Sequence, residues 1–165
     1  MPLDYIQHYD SPLGGMTMAS DGFALTGLWF DGQKFFAETL AADHISKPLP
    51  VFNATAQWLD LYFSGKKPTF TPLLNMRTTP FRRAVWRVML TIPFSKTMTY
   101  GEIAIVVANG RGRMSAQAVG NAVGHNAISL IIPCHRVIGA GGKLTGYGGG
   151  LWRKQRLLEL ESITN

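Results

Sequence analysis

The chain's one cysteine stands in the run Pro133-Cys134-His135-Arg136-Val137, directly after the apolar stretch Ser129-Leu130-Ile131-Ile132. A thiol of ordinary pKa, about 8.5, is only slightly ionised at neutral pH, so a nucleophilic role requires a base. His135 is the adjacent imidazole and can take the proton directly or through a water. That imidazole needs an orienting partner, commonly a carboxylate, and from Arg77 onward the chain offers only Glu102, Glu159 and Glu161. The competing reading of a free cysteine is inert core filling, and the neighbouring histidine sets this one apart. The apolar run reads as a buried strand ended by Pro133, which places Cys134 at a fixed bend beside a cavity.

Glycine is dense beyond the cysteine, in Gly139-Ala140-Gly141-Gly142 and Thr145-Gly146-Tyr147-Gly148-Gly149-Gly150. Such a backbone can approach a flat ligand closely and present N–H groups to an oxygen. The segment lacks the Gly-Lys-Ser/Thr ending of a phosphate-binding P-loop. His8, His44, His125 and His135 are too scattered for a closed zinc site, so no metal and no cofactor are expected. A lone cysteine forms no internal disulfide.

Several elements must position these residues. Leu3 to Asp10, Gly15 to Asp21 and Ala24 to Phe30 read as three strands of an antiparallel meander. The spacing of Trp58, Leu59, Tyr62 and Phe63 predicts a helix over 52–64, and Lys66 to Thr79, with Pro68 and Pro72, reads as a linker. Thr79-Pro80 opens a helix with Phe81, Val85, Val88, Met89 and Ile92 on one face, stopped by Pro93. Thr99-Tyr100-Gly101-Glu102 has the form of a capping box, and Ser115 can cap another helix reaching about Gly124. Two short helices joined by the glycine-containing turn 109–114 suggest a helix-turn-helix. The second of them, from Ser115 to Gly124, is built almost wholly from small side chains. Gly120 costs it about 1 kcal/mol relative to alanine, so a groove or a close neighbouring helix must demand the slimness. A last helix over 151–162 puts Leu151, Leu158 and Glu161 near one face, with Glu161 able to point inward.

With 46% hydrophobic and 16% charged residues, the chain has the composition of an ordered globular protein. It shows no N-terminal targeting pattern and no apolar run of the roughly 18 residues a membrane span needs, which predicts a cytoplasmic protein. Charge is unevenly spread. Residues 1–76 hold four lysines against seven acids, a net of −3, whereas twelve Lys or Arg face three acids from Arg77 on, a net of +9. The second part therefore suits a polyanion, although a solvated basic face fits charge alone equally well. The sign change supports two domains, 1–76 and 77–165.

From Thr79 to Glu161 the sequence resembles the O6-alkylguanine-DNA alkyltransferase family. The likeness runs through Thr79-Pro80-Phe81, Val85-Trp86, Ile92-Pro93, Tyr100, Ala118-Val119-Gly120, Asn126, Ile132 to Val137, Gly146-Tyr147, Gly149-Gly150, Lys154 and Leu157-Leu158. It implies a small N-terminal ribonuclease-H-like α/β domain followed by a mainly helical, winged-helix-like domain with the helix-turn-helix. The implied activity is irreversible, stoichiometric transfer of an alkyl group from O6-alkylguanine in DNA, with O4-alkylthymine as a further possible substrate, to Cys134. The resemblance makes His135 the base through a water, Glu161 its holder, and Asn126 a brace for the cysteine turn. It gives Tyr100 a donor role toward a guanine ring nitrogen and a part in rotating the phosphate backbone. Val137, Tyr147 and Gly148 would line the guanine pocket, the Gly148 N–H facing O6 and the Cys134 and Val137 carbonyls accepting from the exocyclic amine. Duplex DNA would be met through the minor groove, with the target base flipped out, by Tyr100, Arg113, Ser115, Ala116, Gln117, Ala118, Gly120, Asn121 and Arg136. A monomer with no membrane partner is implied. Gln117 replaces a usual arginine, Ala127 a usual proline, and Gly148 a usual Ser or Ala. Two rival readings are an alkyltransferase-like damage-binding protein, which lacks an acceptor cysteine, and a turnover hydrolase using Cys134, His135 and Glu161.

Overall fold

The computed structural model describes residues 3–163, which divide into two compact units. The first comprises the residues through Arg77 together with Ala127–Ser129; the second comprises Thr78–Asn126 and Leu130–Ile163.

Strands β1 (Asp4–Ser11), β2 (Gly14–Ser20) and β3 (Leu25–Phe30) form the expected antiparallel meander in the first unit. Its turns are side-chain devices. The Ser11 hydroxyl donates to the Gly14 carbonyl at 2.6 Å, and Asp21 Oδ1 accepts from the amides of Phe23 and Ala24. Gly27 is required by close approach, since a Cβ there would lie 2.0 Å from the Trp29 indole. A short strand β4 (His44–Ser46) pairs parallel with β1, giving the order β3-β2-β1-β4. Its three exposed residues have no apolar alternation, so the sequence gives no sign of it.

Helix α1 (Pro50–Phe63) begins two residues before the predicted start, because proline is tolerated in a first turn where its missing N–H is not needed. It buries Phe52, Trp58, Leu59 and Tyr62, each contributing roughly 1.5–3 kcal/mol by leaving water. The segment read as a linker is partly fixed to β3: the Leu25 amide donates to Leu73 at 2.7 Å and the Asn75 amide to Leu25 at 2.9 Å. At its end the Arg77 guanidinium grips buried Asp4 with bonds of 2.6 and 2.8 Å, and the Ala41 amide donates to the same carboxylate. The outer side of Leu28 is completed by Ala127–Ser129: the Leu28 amide donates to Ala127 and the Ser129 amide to Leu28.

The second unit is mainly helical. Helix α2 (Pro80–Leu90) is capped by Thr79, whose side chain accepts from the Arg82 amide, and it ends before Pro93 at Thr91. Strand β5 (Met98–Thr99) leads into α3 (Tyr100–Ala108), where Thr99 and Glu102 form both halves of a capping box. Asn109 ends α3 at φ 50°, and Ser115 opens α4 (Ala116–Gly124) by accepting from the amides of Gln117 and Ala118. The Trp86 indole N–H donates to the Ala122 carbonyl at 2.9 Å, binding α2 to α4. Helices α3 and α4 with their turn form the helix-turn-helix. Strand β6 (Val137–Ile138) pairs parallel with β5, and α5 (Leu151–Ile163) is the last described element.

Two expectations need correction. Ser129–Ile132 is a buried turn, with Leu130 at φ 71° and only an isolated bridge between Ile128 and Leu28 beside it. A short apolar run reports burial without specifying backbone conformation. On α5 the fully buried side chains are Lys154, Leu157 and Glu161, while Leu151 is half exposed. The three lie three and four residues apart, the spacing of one helical face.

Candidate active site

Cys134 sits on a single 3₁₀ turn, Cys134–Arg136, immediately after Pro133. Its amide donates to Ile132 at 2.8 Å, and the Asn126 side-chain amide donates to the same residue's carbonyl at 2.7 Å. Asn126 thus braces the approach to the cysteine. Cys134 is 8% exposed and His135 is fully buried. Burial pushes the thiol pKa up, opposed by the Asn126 and Tyr147 side chains and by the positive charge of Lys154.

The two residues after the cysteine belong to a buried ionic cluster. His135 Nε2 is 2.5 Å from Glu161 Oε2. Arg136 donates through Nε to Oε1 at 2.8 Å and through Nη2 to Oε2 at 3.3 Å, while its Nη1 donates to the Ile92 carbonyl at 2.8 Å. The Ser95 amide adds a fourth donor to Glu161. Burial alone would raise the Glu161 pKa. Hydrogen bonds from His135 and Arg136 and the adjacent positive charge outweigh it and bring the carboxyl to about 2. Burial holds the His135 pKa below its ordinary value despite the opposing pull of Glu161. The resting pair is therefore a carboxylate and a neutral imidazole. A carboxylate only accepts, so Nε2 carries the ring proton and Nδ1 is the basic nitrogen.

Lys154 is fully buried and donates to the Val137 carbonyl at 2.6 Å and to the Thr145 carbonyl at 3.4 Å. Val137 in turn donates its amide to the Cys134 carbonyl. Both carbonyls expected to meet a ligand amine thus already accept one bond, and each keeps a second lone pair. Tyr100 reaches this region through the β5–β6 pairing, Met98 opposite Val137 and Thr99 opposite Ile138, and its hydroxyl lies 2.8 Å from Thr145 Oγ1. Gly148 lies in the 147–150 turn, closed by a bond from the Gly150 amide to the Tyr147 carbonyl.

On the helix-turn-helix, Arg113, Ser115, Ala116, Gln117 and Asn121 are exposed, and Ala118 and Gly120 are partly so. An alanine Cβ at Gly120 would sit 3.7 Å from the Tyr100 ring, and one at Gly124 would meet nothing. Internal packing therefore does not require glycine at 120 or 124. Arg136, expected on the DNA-contacting surface, is turned inward: Glu161 and the Ile92 carbonyl hold its guanidinium. The reason is electrostatic, since a carboxylate buried beside it draws the cation in. Lys154 was the converse omission. Its spacing with Leu157 and Glu161 on α5 was the signal that could have found it.

Residues 80–163 match the DNA-binding domain of the 6-O-methylguanine DNA methyltransferases, and residues 5–75 match their ribonuclease-like domain. The chain belongs to that family. It is 46% identical over 158 residues to the methylated-DNA–protein-cysteine methyltransferase of Mycobacterium bovis, covering 93% of this chain and 92% of the relative. It is 41% identical over 157 residues to the protein of that name from Methanosarcina barkeri, covering 95% and 96%. Mycobacterium tuberculosis OGT, crystallised in complex with DNA, superposes with a TM-score of 0.85 at 42% identity, covering 98% of this chain and 94% of that one.

Proposed function

We propose that this protein repairs DNA by moving an alkyl group from O6 of guanine onto Cys134, once per molecule. The observation that carries the reading is the Cys134, His135, Glu161 order, with an ionised carboxylate fixing the imidazole tautomer of the residue next to the one thiol. The thiol passes its proton through a water to His135 Nδ1. The thiolate then attacks the alkyl carbon; a carbon–sulfur bond forms, the carbon–O6 bond breaks, and its electron pair stays on the purine. The base regains neutrality by taking up one proton, which balances the one left on the imidazole. Donors placed for the developing negative charge act at that moment: the Tyr100 hydroxyl toward the ring and the Gly148 N–H toward O6. A thioether does not revert, and the chain has no second cysteine to relieve it.

Binding is to duplex DNA through the minor groove by a single copy of the chain. Ser115, Ala116, Gln117, Ala118, Gly120 and Asn121 line the contact, Arg113 lies at its edge, and the target base is flipped toward Val137 and Tyr147. Gly120 and Gly124, which internal packing does not require, support entry of a slim helix into a narrow groove. Incubation with duplex DNA carrying labelled O6-methylguanine tests the reading. Label on Cys134 that stops at one equivalent is expected. Binding without label would favour a damage-binding protein, and repeated product release would favour a hydrolase.

A further inference from the structure

We propose that Thr145 is a positioning residue for Tyr100, holding the phenol so that its proton points at the flipped base; the inference rests on the transfer reading above. The Tyr100 and Thr145 hydroxyls lie 2.8 Å apart, across 45 positions of sequence. A phenol has one proton. When Tyr100 gives it to a ring nitrogen, only Thr145 can be the donor in their shared bond, and a hydroxyl that accepts becomes a stronger donor. Thr145 therefore sets both the direction and the strength of the bond offered to the purine.

Both partners are fixed from outside that bond. The Thr145 carbonyl accepts from buried Lys154 at 3.4 Å. Its methyl group fills space that Gly139 leaves: a Cβ at 139 would be 3.0 Å from Thr145 Cγ2 and 3.2 Å from the Lys143 carbonyl oxygen, which already accepts from the Gly139 amide. Tyr100 is placed by the β5–β6 pairing, and its ring lies along α4 at Gly120. Two residues past Thr145, the Tyr147 side chain opposes the rise of the Cys134 thiol pKa. One short loop thus orients a donor to the purine and a partner of the nucleophile.

Single-turnover transfer from methylated duplex DNA is measured for the wild type, Thr145→Val, Thr145→Ser, Tyr100→Phe and the Tyr100→Phe/Thr145→Val double variant, with DNA dissociation constants measured separately. Thr145→Val keeps the shape without the donor and is expected to slow transfer at saturating DNA about five- to tenfold, with the dissociation constant unchanged. Thr145→Ser restores the rate, and the double variant is no slower than Tyr100→Phe alone. A wild-type rate in Thr145→Val, a serine variant as slow as the valine one, or additive effects in the double variant would overturn the assignment. A wild type that takes no label overturns the transfer reading itself, an outcome distinct from these.

Discussion

The Lys154 ammonium donates to the Val137 carbonyl at 2.6 Å from a side chain wholly removed from solvent. Burial lowers its pKa, whereas the charge of a Cys134 thiolate would raise it, so this cation and the thiolate favour one another. Lysine is among the residues least often fully buried, and here it joins α5 to the strand just beyond the cysteine. Lys154→Met keeps the stem but removes the charge and strands a buried carbonyl. The expected result is a loss of about 1–3 kcal/mol in urea unfolding. Transfer should also slow at neutral pH, and slow less as pH rises and the thiol ionises unaided.

Glu161→Gln tests the ionic cluster. It leaves the Arg136 guanidinium buried without its counter-charge and no longer fixes the imidazole tautomer. Single-turnover transfer is expected to fall about a hundredfold or more while DNA affinity stays within a few fold. A rate equal to that of the wild type would remove Glu161 from the mechanism.

Acid should expose the same carboxylate. Its folded pKa of about 2 lies below the ordinary 4.5, so the folded state gains stability above pH 4.5 and loses it as pH falls toward 2. Thermal melting between these limits should show a decline for the wild type that is shallower in Glu161→Gln. Parallel curves would mean that the cluster does not bind the carboxylate preferentially when folded.

Helix α4 carries no charged side chain, so its phosphate contacts must come from flanking residues such as Arg113. Arg113→Ala should reduce the slope of log affinity against log salt by about one, and Gln117→Arg should increase it by about one. Fluorescence anisotropy on a labelled duplex over a range of salt would read both. Unchanged slopes would place the phosphates elsewhere on the protein.

Asp4 and Arg77 offer a stability test remote from the thiol. Asp4→Asn removes the charge and turns one of the two oxygens that accept from Arg77 and the Ala41 amide into a donor, and a loss of about 2 kcal/mol is expected by urea unfolding. Arg77 is 27% exposed and can still turn to water, which keeps the figure modest. A midpoint equal to that of the wild type would count against this anchor.

What the sequence made legible was local chemistry with fixed spacing. The Thr79, Thr99 and Ser115 caps and the meander follow from side-chain type and helical period, whereas the choice of Glu161 among three acids as the partner of His135 came from the family resemblance. What escaped depended on tertiary neighbours. The direction of Arg136 is set by Glu161 behind it, and the left-handed backbone of Leu130 replaces a strand that its apolar run suggested. Strand β4 forms because β1 presents an open edge, a property of the partner that the three residues themselves do not encode.

The participation of Ala127–Ser129 in the first unit bears on how the gene can be divided. A fragment ending at Arg77 would retain β3 but lose the two backbone bonds that Leu28 makes with Ala127 and Ser129. Its outer strand would then present bare amide and carbonyl groups, the kind of margin that recruits another copy. Truncation at the apparent boundary would therefore yield a self-associating product, whereas supplying a peptide that spans 127–129 would compete for the same margin and restore solubility.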